Sequence, residues 1–290
     1  MLLKINIKII STISFILLMG ACSIAGSWAY GKLDGYLNNY FFTFANFTQA
    51  QEKEIKTVTR DFKYWLTKEQ LPEIELILNK VNTLNRLSSS DEIDSIYRNG
   101  SDIFISVNTY FNSKLIKFSL TLDKKQIGEI DNHFLEIQEK REEEKKDRDD
   151  ETYEERLQKN YISGFKRIGI DLNSQQRIIL ASSIKDMEDN SEEWNLLQAK
   201  WTEEMISILK TNQQNGFEKK LNNHLSSLFD LGPPSFRDKI ERNRIIGIAA
   251  IKNIISSMND SQFKKMKKSI RVYQRSINRI LENQNQEGPS

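Results

Sequence analysis

The chain of 290 residues carries 42 Lys and Arg against 40 Asp and Glu, so its formal net charge of +2 gives no reason to expect nucleic acid binding. Hydrophobic residues make up 38% and charged residues 28% of the sequence, and only 12 Gly and 4 Pro interrupt it. This composition suits long helices with much exposed surface, whereas a compact sheet protein would need many more turn residues.

The start of the chain has the pattern of a secretory signal. Lys4 and Lys8 give a positively charged beginning, residues 9–19 form an apolar run, and small residues precede Cys22. The run is too short to cross a bilayer, which takes about 20 apolar residues. The Ala21-Cys22 junction resembles the lipobox of bacterial lipoproteins, which implies cleavage between these two residues and acylation of the cysteine, palmitate included.

Lipidation uses the one cysteine that the chain has, so no thiol remains for a disulfide or a metal site. Ser23 follows the cysteine, where an Asp would resemble the inner-membrane retention signal. We therefore expect the protein in the cell envelope, on the periplasmic face of the outer membrane. The predicted organisation is a signal peptide, an acylated aromatic-rich segment, a helical domain and a disordered tail, over residues 1–21, 22–46, 47–283 and 284–290.

Aromatic residues crowd the segment that follows the lipobox. Tyr36, Tyr40, Phe44 and Phe47 are spaced at steps of 4, 4 and 3, which favours the buried face of a first helix. The alternative is an anchor at the level of the lipid headgroups, where aromatic rings with polar edges are stable.

A helix-start pattern recurs along the chain: an apolar residue, a capping residue, two spacers and a Gln. The cap can accept a hydrogen bond from the N3 amide while the Gln reaches back to the amide of the cap. The four predicted capping boxes are Thr48–Gln51, Asp123–Gln126, Asn173–Gln176 and Asn259–Gln262. Their uneven spacing excludes a solenoid repeat.

Helical periodicity extends between these boxes. Residues 49–86 predict two helices with a break near Pro72, and the serines at 88–90 precede a third helix. From Asp123 we expect one long charged helix to about Ile168, with disorder over residues 139–156 as the alternative. Later helices are expected near residues 173–188, 191–212, 214–229, 235–256 and 260–283. The predicted fold is all-α, an elongated antiparallel bundle of about eight to nine helices.

These features together resemble a family of Gram-negative bacterial lipoproteins built on a domain of unknown function. The resemblance rests on Ala29-Tyr30, Leu33-Asp34, Tyr40-Phe41, the box at 48–51, Trp65, Leu71-Pro72, residues 241–244 and the box at 258–262. It implies an all-helical, membrane-tethered periplasmic protein and no activity. Residues 66–70 also match the Leu-Thr-x-x-Gln motif of small periplasmic stress chaperones, although any capping box after a leucine has this form.

Catalytic and metal-binding patterns are missing from the sequence. His133 and His224 lie in separate predicted helices and outside any metal-spaced cluster. The carboxylates of residues 139–155 face lysines and water, a setting that does not raise a pKa as a general acid needs. We expect no catalytic residues, no metal and no cofactor.

The last predicted helix combines an apolar seam with a line of cations. Phe263, Met266, Ile270, Tyr273, Ile277 and Ile280 follow each other at steps of 3 and 4. Beside them run Lys264, Lys268, Arg271, Arg275 and Arg279. The favoured interpretation pairs these cations with acidic helices of the same molecule. The alternative is an anionic partner in the envelope, either lipopolysaccharide, a phospholipid headgroup or an acidic protein.

The sequence favours a lipid-anchored, non-catalytic interaction or envelope-maintenance protein, bound to the membrane through its N-terminal lipid. A chaperone-like or lipid-handling binding protein is the alternative, and an enzyme comes third.

Overall fold

The computed structural model describes residues 29–146 and 151–287, apart from the side chains of Lys145, Phe229 and residues 284–287. This part of the chain is all-α and contains no strand, as the sequence predicts. Its α-helices number eleven, more than the eight to nine expected. We call them α1 to α11, and they span Leu33–Phe41, Gln49–Trp65, Leu71–Thr83, Ser90–Ser119, Lys124–Lys146, Tyr153–Arg167, Ser174–Lys185, Ser191–Leu209, Phe217–Ser226, Pro234–Ser256 and Asp260–Glu287.

The long charged helix predicted over residues 123–168 is wrong, because its second part is a separate helix. α5 is described to Lys146, and α6 begins at Tyr153. Thr152 caps α6: its backbone is extended, with ψ 160°, and its hydroxyl accepts from the Glu155 amide at 3.2 Å. Glu155 in turn accepts from the Thr152 amide at 3.0 Å. An extended cap residue cannot continue a helix, so the charged segment contains a helix start.

The predicted first helix is also wrong in its face and its end. α1 ends at Phe41, so Phe44 and Phe47 lie beyond it. Its buried residues are Leu33 and Leu37, whereas Tyr36 is 53% exposed. The aliphatic side chains, not the aromatic ones, therefore define the face of α1 that packs against α2.

The break predicted near Pro72 is a π-helical turn rather than a loop. This turn spans Leu66–Gln70 and joins α2 to α3, with the Leu71 amide donating to the Leu66 carbonyl. Proline clashes with the carbonyl four residues before it, and the wider π turn relieves that clash without ending the helical backbone. The Leu-Thr-x-x-Gln match falls on this turn, so it does not start a helix.

Three apolar clusters form the core. The first cluster joins α7, α10 and the first half of α11. The second joins α1 to the π turn and to the second half of α11. The third joins α5 to α8 and α9. The turn before α7 comes so close to α11 that a Cβ on Gly169 would lie 2.4 Å from Ser269 Oγ. Gly169 also has a φ of +81°, so this contact requires glycine.

The four predicted capping boxes meet in pairs. Gln51 Nε2 donates to Gln126 Oε1 at 3.0 Å, and Gln126 Nε2 donates to Gln51 Oε1 at 2.7 Å. Each amide also donates to a backbone carbonyl two residues before the other cap, at Thr121 and at Asn46. Both glutamines are buried, so the reciprocal pair supplies hydrogen bonds that water cannot.

The second pair repeats this geometry. Gln176 and Gln262 exchange hydrogen bonds of 3.1 and 2.8 Å between their amides. Again each donates to the residue two before the other cap, to Ser257 Oγ at 3.2 Å and to the Asp171 carbonyl at 2.8 Å. The boxes therefore build two equivalent junctions between helix N-termini, and not a solenoid.

The last helix extends beyond its expected end at residue 283. α11 continues to Glu287. Of the disordered tail predicted over residues 284–290, residues 288–290 lie outside the described residues. No Gly or Pro occurs between residues 260 and 287, which explains why the helix continues.

Candidate anionic-surface interface

The buried face of α11 fixes its orientation in the molecule. Met266, Ile270, Ile277 and Ile280 are buried, and the side chains of Phe263 and Tyr273 pack against the same clusters. This confirms the predicted seam as a core face. α11 packs through it against α3 and the π turn.

The cations of α11 lie on the side of the helix opposite the seam. The basic stripe consists of Lys264, Lys268, Arg271, Arg275 and Arg279, all of them exposed. At 1.5 Å per residue it extends about 22 Å along the helix, and steps of three and four residues keep it on one face. Residues 261–281 contain no Asp or Glu, so no acid interrupts it.

No member of the basic stripe forms an ion pair with any residue in the described part of the chain. Arg275 Nε reaches only the carbonyl of Arg271, at 3.3 Å. At the edge of the stripe, Lys265 does pair with Asp171 at 3.3 Å. The internal pairing favoured from the sequence is therefore not present for these five side chains.

The neighbouring helix α10 is different, because four of its five cations, all except Lys252, have acid partners within the described residues. Lys239 contacts Glu193 at 2.9 Å, and this hydrogen-bonded carboxylate raises the pKa of the lysine. Arg242 contacts Glu188 at 2.5 Å. The largely buried Arg244 binds both Asp94 of α4 and the carboxylate of its own helix neighbour at 241. Internal pairing is thus the property of α10 and not of the stripe on α11.

The histidines belong to packing contacts. The ring of His133 lies 4.3 Å from that of Phe44, and burial is the main cause that lowers its pKa. His224 stacks on Trp201 with 4.6 Å between ring centroids, and its Nε2 lies 2.8 Å from the Trp201 carbonyl. No cluster of His, Cys, Asp and Glu that could hold a metal occurs among the described residues.

The predicted lipidation site, Cys22 with the Ala21 junction, lies outside the described residues. The described chain begins at Ala29 and is bound to the bundle from Tyr30 on. The Tyr30 hydroxyl lies 2.7 Å from Thr67 Oγ1, and burial raises the pKa of this tyrosine. Lys63 donates to the Gly31 carbonyl at 2.5 Å. The aromatic-rich segment is therefore part of the packed structure from residue 30.

No helix in the described ranges is both long and apolar enough to cross a membrane.

Comparison with known proteins places the chain in a family. The model of a family of unknown function (DUF6279) matches residues 43–237. The chain belongs to this family. The match begins just before the first capping box and ends in the first turn of α10, so the family region does not include α11 or its basic stripe. No curated protein and no solved structure matches the chain.

Sequence reasoning missed the acids that pair with α10. Asp94 and Glu188 come from α4 and from the segment between α7 and α8, far away in sequence. No periodicity within α10 indicates them.

Proposed function

We propose that the protein is a lipid-anchored, non-catalytic interaction protein of the bacterial cell envelope, tethered at the periplasmic face of the outer membrane. Its basic stripe binds an anionic partner: lipopolysaccharide, a phospholipid headgroup or an acidic protein. The observation that carries this proposal is the row of five exposed cations without an acid partner among the described residues.

The physical case rests on the cluster and not on any single charge. An isolated ion pair at the surface contributes about 0–1 kcal/mol, and salt screens its attraction beyond roughly 8–10 Å. Five cations on about 22 Å of one helix act on a partner together, provided that the partner carries several negative charges along that length. A multivalent anionic surface satisfies this condition better than a small anion.

The tether is the second part of the proposal. The lipobox-like junction at Cys22 supports acylation, and each buried CH₂ of an acyl chain contributes about 0.8 kcal/mol, so several chains hold the protein firmly. Cys22→Ala should leave an unprocessed precursor in membrane fractions. A wild-type protein that is soluble and unmodified at Cys22 by mass spectrometry would contradict this part.

Charge reversal tests the stripe. We expect Lys268→Glu, Arg271→Glu and Arg275→Glu together to reduce binding of the untethered mature chain, made without its acyl chains, to vesicles containing phosphatidylglycerol, or to lipopolysaccharide, by roughly a hundredfold. Thermal unfolding should change little, because these side chains make no ion pair within the described structure. Reversal of the exposed Lys200, Lys219 and Lys220 changes the net charge equally and is the matched control. A triple stripe variant that binds like wild type, or that unfolds at a much lower temperature, would contradict the proposal.

A further inference from the structure

The basic stripe and the start of the tether belong to the same part of the molecule. Tyr30, Leu33 and Leu37, the first buried residues after the tether, share an apolar cluster with Ile277 and Ile280 of α11. The last cations of the stripe lie in these same turns of α11. The anchored end of the chain therefore enters the fold level with one end of the stripe but on the seam side of α11, a helix about 10–12 Å in diameter.

The length of chain between the anchor and the fold is short. Seven residue steps separate Cys22 from Ala29, and a fully extended chain of this length reaches at most about 25 Å. This reach is comparable with the length of the basic stripe. A bilayer that holds acyl chains on Cys22 must then lie within about 25 Å of Ala29, a reach that exceeds the diameter of α11 and lets the chain pass from the seam side to the face of the stripe.

We propose that the basic stripe lies on the anionic leaflet that holds the protein's own lipid anchor, so that α11 rests along the membrane surface. This inference rests on the proposed function and names the partner: a phospholipid surface and not a soluble acidic protein or lipopolysaccharide. Acyl chains and cations then act as two membrane-binding signals in one molecule. Tethering makes the second contact intramolecular, so a weak attraction is enough to orient the protein.

The charge pattern of the stripe fits this partner. A leaflet with anionic headgroups presents a plane of negative charge, and the stripe presents a nearly straight line of cations with no acid between residues 261 and 281. Each Lys or Arg near an anionic leaflet strengthens attachment about fivefold. Because salt screens charges within about 8–10 Å, the stripe must come within that distance of the headgroups to contribute.

The test uses the full acylated chain reconstituted in vesicles. Acylation occupies the one native cysteine, so Asn278→Cys offers a unique thiol for a fluorophore on the exposed face between Arg275 and Arg279. Asn222→Cys, at an exposed position on α9, is the matched control. The measurement is quenching of the fluorophore by a quencher attached to lipid headgroups.

We expect strong quenching at position 278 in vesicles with phosphatidylglycerol and little in vesicles of phosphatidylcholine alone. Position 222 should stay unquenched in both. Lys268→Gln, Arg271→Gln and Arg275→Gln together should reduce the quenching at 278 to that at 222, and 0.5 M salt should have the same effect. Far-UV circular dichroism verifies that the variant remains helical.

Equal quenching at 278 in both kinds of vesicle, or none in either, would overturn the inference. If the untethered mature chain still binds phosphatidylglycerol vesicles or lipopolysaccharide through the stripe, the proposed function survives and only the orientation on the tethering leaflet is wrong. If neither contact occurs, both proposals are wrong.

Discussion

The helices α10 and α11 are neighbours in sequence and carry five and seven cations, yet the structure places these charges in different settings. Four of the five cations of α10 contact carboxylates, as Arg244 does with Asp94 and Lys239 does with Glu193. The five cations of the basic stripe have no such partner among the described residues. The net charge of a helix therefore does not show whether its cations pair internally, because such pairing depends on the acids that neighbouring elements supply.

The difference follows from the position of each helix. α10 packs against α4 and α7, so its cations meet acids from α4 and from the segment after α7. α11 directs its seam into the core, and the basic stripe points away from every helix that the seam contacts. Exposed cations that repel one another and have no partner do not stabilise a fold, which is why we assign them to a partner outside the molecule.

The largest expected change in the free energy of unfolding comes from breaking the internal pairing of α10. Arg244→Ala should lower the free energy of unfolding by about 2–3 kcal/mol, because the largely buried Asp94 would keep only the more exposed Arg98 as a cation. Urea denaturation measures this change. Arg242→Ala removes a more exposed pair with Glu188 and should cost about 0–1 kcal/mol. Equal losses for both variants would contradict the account of α10.

The next effect concerns the junction where α10 ends and α11 begins. Gln262→Ala should cost about 2 kcal/mol, since it removes both hydrogen bonds exchanged with the buried Gln176 and leaves the Asn259 amide without its partner. A double-mutant cycle with Gln176→Ala should give a coupling energy of about 1–2 kcal/mol. Additive losses would mean that the two glutamines do not act as a pair.

The local features of these helices can be predicted from the sequence. The capping boxes and the α11 seam depend on residues three or four apart, and both were predicted correctly. The pairing of Gln176 with Gln262 joins residues that are far apart in sequence, so no local pattern reports it. The acids that reach α10 were hidden for the same reason.

Two helix starts were misjudged for local reasons. The capping box of Thr152 lies at the end of a run of charged residues and has Glu instead of Gln, so it was read as the interior of one long helix. Asn190, with Glu193 three residues later, has the sequence pattern of a cap for α8, but its backbone is not extended, with φ −114° and ψ 13°, and its side chain forms no cap hydrogen bond. The side chain of Asp189 accepts from the Ser191 amide instead, at 2.8 Å.

A smaller change in the free energy of unfolding, of opposite sign, is expected for the basic stripe. Arg275 has a like charge four residues away on each side, at Arg271 and Arg279, and each such pair destabilises a helix by about 0.2–0.5 kcal/mol. Arg275→Gln should therefore raise the free energy of unfolding by about 0.5 kcal/mol at low salt, and the gain should disappear at high salt. Arg242→Gln on α10 should have the opposite sign. A loss of stability in Arg275→Gln would show that this cation has an internal partner.

The smallest expected effect is a change in the pH dependence of stability. Histidine is the side chain that ordinarily changes its charge between pH 5 and 8. Burial lowers the pKa of His133 below 6.5, so the unfolded chain takes up this proton first and stability falls as the pH drops below 6.5. We expect His133→Phe to flatten that slope in thermal melts. An unchanged slope would assign the dependence to another group.

One measurement compares both helices directly: the rate at which an amine-reactive reagent labels each lysine, followed by mass spectrometry, with and without vesicles containing phosphatidylglycerol. The account predicts that Lys264 and Lys268 react readily in the free protein and become protected on the vesicles. Lys239, paired with Glu193, and the exposed Lys219 should react at the same rate in both conditions. Unchanged labelling of Lys264 and Lys268, or protection of Lys219 to the same degree, would contradict the claim that the α11 face is the membrane-binding surface.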